Sequence, residues 1–253
     1  MAIEIPGRCS EPVRFSLGDI EGAFYSVSPR VHPPTDEFGG GSGSRSRRRE
    51  IGERRLGGRT GRMIEDVWEA GGFEWAREVW LPDDESPVLA VRLRVRNTGH
   101  APLRLEALET VSFRGPDALR IGGAPTRDWE FLAQGRDKND VPVTRRFGEF
   151  PAATELDEQG ESVAVAESGC LDLRADPFLL FRGGEAGFLI GFLGWTEAAS
   201  EIVLRSDGER RTLAEIKARS EMDYAELAPG KERTSEWVLL QAGPPDWRVV
   251  ESE

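Results

Sequence analysis

The chain has 253 residues and a formal net charge of −12, with 38% hydrophobic and 31% charged residues. This acidic balance argues against a nucleic-acid-binding protein, because affinity for phosphate comes from an excess of lysine and arginine. Two cysteines (Cys9 and Cys170), no apolar run near the roughly 18 residues of a membrane helix and no signal-peptide pattern together predict a cytoplasmic protein without a disulfide framework.

Two short strand patterns open the chain, at residues 13–17 and 22–27. The stretch that follows, Asp36–Arg62, has no hydrophobic periodicity and is rich in glycine, serine and arginine. This composition predicts a long, flexible, basic loop. The alternative interpretation is a basic patch for phosphate, which Glu50 and Glu53 would weaken by diluting its charge.

Strand patterns dominate from Met63 onward. Residues 73–81 place apolar side chains on one face, with Arg77 between them. Residues 91–96 alternate strictly and end at a turn, Asn97–His100, after which residues 103–113 alternate again. This arrangement predicts an antiparallel hairpin.

The most apolar part of the sequence lies in the runs Phe178–Phe181 and Phe188–Leu193, which flank the turn Arg182–Glu185. Neither run alternates with polar residues, so the sequence predicts two central strands covered on both faces. Further strands are expected at 201–205, 211–219, 222–227 and 235–241, before a linker-like tail at 243–253. We therefore predict one all-β domain over residues 1–253, a layered sandwich of mainly antiparallel strands.

Few residues suggest chemistry. His32 and His100 lie far apart in predicted turns, and no His, Cys, Asp or Glu group has metal-ligand spacing, so neither a metal nor a cofactor is expected.

Glu109 is the candidate acid or base, since strict alternation places it on the apolar face of its strand, where burial raises the pKa of a carboxyl group. The alternative is that a β-bulge near Leu108 turns Glu109 outward, or that a nearby arginine satisfies it. Trp129 beside Asp128 has the makeup of a sugar-binding platform, an aromatic face next to a carboxylate, although tryptophan more often serves as a core or loop anchor.

Several segments, in order and spacing, resemble the N-terminal β-sandwich domain of α-galactosidase-like (melibiase-type) glycoside hydrolases. The resemblance covers about Trp68 to Gln241 and is carried by Ser86–Gly99, Asp176–Phe181, Gly191–Thr196, Leu227–Glu232 and Trp237–Leu240. It implies a supersandwich of the galactose-mutarotase type that packs on a (β/α)8 barrel, which supplies two catalytic aspartates. No motif here matches those aspartates, so the resemblance implies a non-catalytic accessory domain that could shape the sugar pocket of the barrel.

The alternative is a free-standing mutarotase-type sugar-ring enzyme with Glu109 as base, or a carbohydrate-binding module. That enzyme family uses paired histidines on central strands, which this chain does not offer. The partner expected for the accessory domain is the barrel, or else a second copy of the chain. Trp129, Phe131, Phe147 and Phe150 lie outside any strand periodicity and are predicted to form the exposed contact surface.

Overall fold

The computed structural model describes residues 1–8, 10–27, 29–32, 47–70, 72–133, 143–147, 154–156, 162–164, 172–175, 177–194, 199–207 and 212–244. These residues form β-strands and turns, with a 3-10 turn at Thr126–Asp128. The all-β prediction is thus confirmed. Within these ranges, no helix has the length and apolar character needed to cross a membrane.

The strands of the first half are short at the N-terminus and long thereafter. They are β1 (Ala2–Glu4), β2 (Val13–Leu17), β3 (Ile20–Phe24), β4 (Arg30–His32), β5 (Arg47–Leu56), β6 (Arg59–Ala70), β7 (Phe73–Pro82), β8 (Val88–Asn97), β9 (Leu103–Arg114), β10 (Leu119–Ile121) and β11 (Glu130–Ala133). The remaining strands are β12 (Val143–Arg146), β13 (Thr154–Leu156), β14 (Ser162–Ala164), β15 (Asp172–Ala175), β16 (Phe178–Gly183), β17 (Ala186–Phe192), β18 (Ala199–Asp207), β19 (Thr212–Leu227), β20 (Glu232–Thr234) and β21 (Val238–Gly243).

Two large antiparallel sheets make up most of the fold. The ten-stranded sheet has the order β12-β11-β16-β17-β21-β8-β7-β6-β5, with β20 also paired to β8. The five-stranded sheet has the order β15-β18-β19-β9-β4. A four-stranded sheet, β1-β2-β3-β10, and the pair β13-β14 complete the set.

The predicted central hairpin is confirmed as β16 and β17. Phe181 lies opposite Phe188, and the hairpin is flanked by β11 on one side and β21 on the other. The turn is closed by Gly184, which adopts a positive φ of 60° that suits glycine. The hairpin therefore occupies an interior position in the ten-stranded sheet.

Apolar side chains of the two large sheets meet in the core. Phe188 of β17 packs edge-on against Phe113 of β9, with ring centroids 6.2 Å apart, and stacks on Phe15 of the small N-terminal sheet. A second, smaller cluster lies around the stacked pair Trp68 and Trp75, whose ring centroids are 4.3 Å apart. The described part of the sandwich thus holds two hydrophobic clusters.

An ion pair lies between these two clusters. Arg77 sits on β7 between Trp75 of the small cluster and Val79 of the large one. Its guanidinium is 3.0 Å from Asp66, and both side chains are 1% exposed. The same guanidinium lies 5.2 Å from the centre of the Trp68 ring, a cation–π contact. The arginine within the predicted apolar face is therefore paired with a carboxylate inside the protein.

The predicted hairpin of residues 91–96 and 103–113 is wrong. Both segments are strands, but β8 pairs with β7, β20 and β21, whereas β9 pairs with β19 and β4. The turn after Asn97 carries the chain from one large sheet to the other. A polar turn between two alternating strands fits a crossing between layers as well as a hairpin, so the local pattern did not distinguish them.

The prediction of a loop at Asp36–Arg62 is also wrong for the residues of that range that the structure describes. Residues 47–62 belong to β5 and β6, which pair around a turn at Gly57 and Gly58, both with positive φ. Glycine pairs favour such two-residue hairpins. The arginines lie along an edge strand, where charged side chains limit unwanted strand pairing. Residues 36–46 lie outside the described ranges.

The later strands match the prediction, except that two predicted strands form a single strand. Residues 211–219 and 222–227 were expected as separate strands, but Thr212–Leu227 is one strand of 16 residues, interrupted by a bulge. The tail is described only to Pro244, so the linker expected at 243–253 is not covered beyond that residue.

Candidate functional site

A bulge in β9 decides where Glu109 points. Val111 pairs with Ala218, but Glu109 pairs with Arg219, so Thr110 is an extra residue between the two pairs. A bulge shifts the alternation by one residue, so Glu109 no longer shares the core-facing side with Val111. The apolar-face interpretation is therefore wrong, and the register matches the alternative of a bulge near Leu108, with the bulge at Thr110.

The carboxylate of Glu109 has a cationic neighbour on β19. Lys217 Nζ lies 3.7 Å from Glu109 Oε2 and 3.3 Å from Glu215 Oε1. Glu215 in turn accepts a hydrogen bond from the Ser112 hydroxyl at 3.4 Å and pairs with Arg205 at 3.5 Å. Glu109 thus belongs to a polar cluster on the face of the five-stranded sheet opposite the core. Since its side chain is only 3% exposed, it offers little surface to a substrate.

A second ion-pair group continues along the same face. Arg219 donates to the buried carboxylate of Glu201 on β18 and lies 2.6 Å from Glu221 on its own strand. Beyond Glu221 the pairing of β19 with β9 is interrupted again, since Ala225 pairs with Leu105 and three residues, 222–224, face the single residue Glu106. A cleft of about 690 Å³ opens at this second bulge, a volume within the usual range for small-molecule sites.

Trp129 does not form a sugar platform in this structure. Its ring is 1% exposed and packs edge-on against Phe147 and Phe181, and its indole nitrogen donates to the Ala124 carbonyl at 3.0 Å. Asp128 is exposed and lies near Arg127, on the solvent side of the 3-10 turn. Trp129 therefore has the alternative role considered from the sequence, that of a tryptophan that anchors a loop to the core.

The aromatic contact surface expected from residues 129–150 is likewise absent from the described part of the chain. Phe131 and Phe147 are buried in the same core as Trp129. Phe150 lies outside the described residues. Phe131 lies on β11, opposite Phe181 of β16, and Phe147 directly follows β12, so both rings pack into the core.

An apolar groove of about 490 Å³ lies instead on the outer side of the ten-stranded sheet. Leu179 and Phe181 point into the core, so Leu180 between them points outward, opposite Leu189 of β17. The groove is also lined by Trp80, Pro87, Val88, Leu193, Leu239 and Pro244. Leu193 is 45% exposed, and Leu189 and Leu239 are half-buried. The unbroken apolar runs of the sequence were the signal for this second apolar face.

A charged network borders the groove on the same face of the sheet. Glu65 accepts hydrogen bonds from Arg49 and from Arg94, the latter at 2.6 Å, and Glu78 accepts one from Arg92 at 2.5 Å. Burial acts to raise the pKa of Glu65, but the two arginine hydrogen bonds outweigh it, and the pKa of this carboxyl lies below its usual value. The two arginines therefore favour the ionised form of Glu65.

Among the described residues, no group of three or more His, Cys, Asp or Glu side chains is placed to hold a metal ion. His100 is exposed in the turn after β8, and His32 ends β4. Both cysteines lie outside the described ranges.

No family model matches the chain, and no curated protein matches it in sequence. Solved structures do match in fold. An α-galactosidase from Lactobacillus brevis is 9% identical with a TM-score of 0.52, and the match covers 94% of this chain and 39% of that one. The α-N-acetylgalactosaminidase NagBb from Bifidobacterium bifidum is 12% identical with a TM-score of 0.50, over 95% of this chain and 36% of that one.

A galactose mutarotase related enzyme from Lactobacillus acidophilus is 11% identical with a TM-score of 0.50. Here the match covers 97% of this chain and 95% of the other. The chain therefore spans about two fifths of the two glycosidase chains and nearly the whole of the mutarotase-related protein. The likeness shows that this chain has the galactose-mutarotase-like supersandwich fold, which also occurs as part of longer α-galactosidase chains.

Proposed function

We propose that the chain is a non-catalytic accessory domain of an α-galactosidase-like glycoside hydrolase, which packs on a (β/α)8 catalytic barrel and helps to shape its sugar pocket. The observation that carries this proposal is the apolar groove on the outer side of the ten-stranded sheet. A sheet face of leucines that solvent contacts is unfavourable unless another surface covers it. An interdomain contact of roughly 600–1,500 Å² would cover such a groove.

Two further findings support this role. The fold recurs within the longer chains of an α-galactosidase and an α-N-acetylgalactosaminidase. The candidate base, Glu109, is buried beside Lys217, an arrangement that suits a structural carboxylate better than one that must contact substrate. We therefore expect the isolated chain to lack hydrolytic activity on aryl α-galactosides.

Sequencing the DNA downstream of codon 253, together with the adjacent genes, tests the proposal first. A (β/α)8 barrel with two catalytic aspartates, in the same reading frame or an adjacent one, is the expected result. The barrel, expressed separately, should then bind the chain, and Leu189→Asp should weaken that binding. The matched control, Ala101→Asp, adds the same charge at an exposed turn outside the groove. Equal binding of the two variants would contradict the docking role of the groove.

The second candidate, a free-standing mutarotase-type sugar-ring enzyme, is favoured by one observation. The match to the mutarotase-related protein extends over nearly the full length of both chains. Polarimetry with galactose separates the two candidates. Accelerated mutarotation that disappears in Glu109→Gln would support the enzyme, whereas a rate equal to the uncatalysed one supports the accessory role.

A further inference from the structure

We propose that the cleft at the second bulge of β19 binds a neutral polyhydroxylated ligand of the saccharide class, with Tyr224 as its aromatic platform. This inference concerns a surface separate from the leucine groove, and it does not depend on the accessory role. The cleft is lined mainly by β19, β9 and the start of β18, and Arg233 of β20 contributes from the other large sheet.

The bulge presents Tyr224 in a fixed position. Three residues, Met222 to Tyr224, occupy the space opposite Glu106 on β9. Met222 points inward and is buried in the smaller hydrophobic cluster, which anchors the bulge. Asp223 and Tyr224 then adopt φ values of 48° and 56°, the left-handed region that side chains other than glycine seldom occupy. Strained backbone of this kind persists where the surroundings hold it, and it concentrates at functional positions.

Tyr224 is 50% exposed, which is unusual for a large apolar side chain in this protein. Among the described residues, only Met1 and Leu193 share that degree of exposure within the large hydrophobic class. Leu193 belongs to the leucine groove, and Met1 is the first residue. An aromatic ring kept at the surface by a strained bulge is well placed to stack on the apolar face of a sugar ring.

The polar groups of the cleft indicate a neutral ligand. Three carboxylates (Glu106, Glu221 and Asp223) and two guanidinium groups (Arg219 and Arg233) line it, so the charges nearly cancel. Arg219 is held in place by Glu201 and Glu221, which fixes the direction of its N–H donors. Fixed donors and acceptors of both kinds match hydroxyl groups, each of which donates and accepts hydrogen bonds. A strongly charged ligand would meet repulsion from one set or the other.

Saturation-transfer-difference NMR on the whole chain tests the proposal, with galactose, N-acetylgalactosamine and raffinose as neutral probes and galacturonate as the anionic probe. Neutral probes should give signals with the wild-type chain, and Tyr224→Ala should weaken their binding at least about tenfold. Tyr224→Phe keeps the ring and should retain most of the affinity. The control Tyr25→Phe alters the other tyrosine, which lies outside the cleft, and should bind as the wild type does.

A second variant separates a binding role from a structural one. Tyr224→Gly removes the ring, while glycine accepts the left-handed backbone without strain, so we expect lost binding together with a melting temperature about 2–4 °C higher. A lower melting temperature would show that Tyr224 has a structural role, and this result would contradict the proposal. No signal from any neutral probe, equal signals from wild type and Tyr224→Ala, or a preference for galacturonate would each overturn the proposal.

Discussion

The side-chain amide of Asn97 donates a hydrogen bond to the backbone carbonyl of Leu227 over 2.8 Å, and so joins the end of β8 in one large sheet to the end of β19 in the other. The same amide donates to the Ala101 carbonyl at 2.8 Å, and its oxygen accepts from the Gly99 N–H at 2.9 Å. Because Asn97 is fully buried, these bonds close the crossing between the two layers.

Asn97→Ala should therefore destabilise the whole sandwich. Removing the amide leaves a buried carbonyl of Leu227 without this donor, and each unsatisfied buried group costs about 1–3 kcal/mol. Urea denaturation should show a lower free energy of unfolding, whereas Thr98→Ala, one residue on and exposed, should stay within about 0.5 kcal/mol of the wild type. Equal effects of the two substitutions would contradict the role given to Asn97.

Removing one partner of the buried ion pair Arg77–Asp66 should lower the free energy of unfolding strongly. Replacing both residues with apolar ones should lower it much less. Asp66→Ala leaves the guanidinium of Arg77 buried without its closest carboxylate, which should lower the free energy of unfolding by about 3–5 kcal/mol. The double variant Asp66→Leu/Arg77→Met extends the apolar clusters across the gap and should recover much of that loss. Chemical denaturation of Asp66→Leu, Arg77→Met and the double variant measures the coupling. Additive losses would show that the pair is not coupled.

Acid should lower the free energy of unfolding partly because Glu65 becomes protonated. Its pKa in the folded chain is lowered, so the stabilisation is fully present above the ordinary glutamate value of about 4.3 and is lost as pH falls toward the folded value. In Glu65→Gln that part of the pH dependence should disappear, and melting temperatures from pH 7 to 3 should decline less steeply than in the wild type. The control is Glu21→Gln on the exposed side of β3. An unchanged slope in Glu65→Gln would contradict this assignment.

Trp129 should be essential to stability. It is enclosed by Phe147 and Phe181 and holds the segment after the 3-10 turn against the central hairpin. Trp129→Ala should cost about 3–5 kcal/mol, measured by urea denaturation. Asp128→Ala, at the neighbouring exposed position, should change stability by less than about 0.5 kcal/mol. A small loss in Trp129→Ala would revive the surface role considered from the sequence.

The central hairpin could be predicted because an unbroken apolar run depends on local composition alone. The same runs also indicated the outer groove, since Leu180 and Leu189 are apolar on the face opposite the core. The crossing after Asn97 could not be predicted in this way, because the partner of the asparagine is Leu227, 130 residues away. The edge hairpin of β5 and β6 was missed because its arginines are held by carboxylates on neighbouring strands and not by an apolar stripe.

The positions of Glu109 and Tyr224 could not be predicted from the alternation of apolar and polar residues, because both depend on β-bulges. Two bulges in the pairing of β9 with β19 turn Glu109 away from the core and expose Tyr224. A bulge is set by how two distant strands align, so neither strand alone reveals it. Trp129 was ambiguous for a related reason, because its burial depends on Phe181 from the central hairpin.

Sedimentation velocity of the chain mixed with the proposed (β/α)8 barrel partner tests the accessory role most directly. We predict a 1:1 complex with the wild-type chain, a weaker one with Leu189→Asp, and an unchanged one with Ala101→Asp. Free, separately sedimenting components with the wild-type chain would contradict the account and favour a self-sufficient protein.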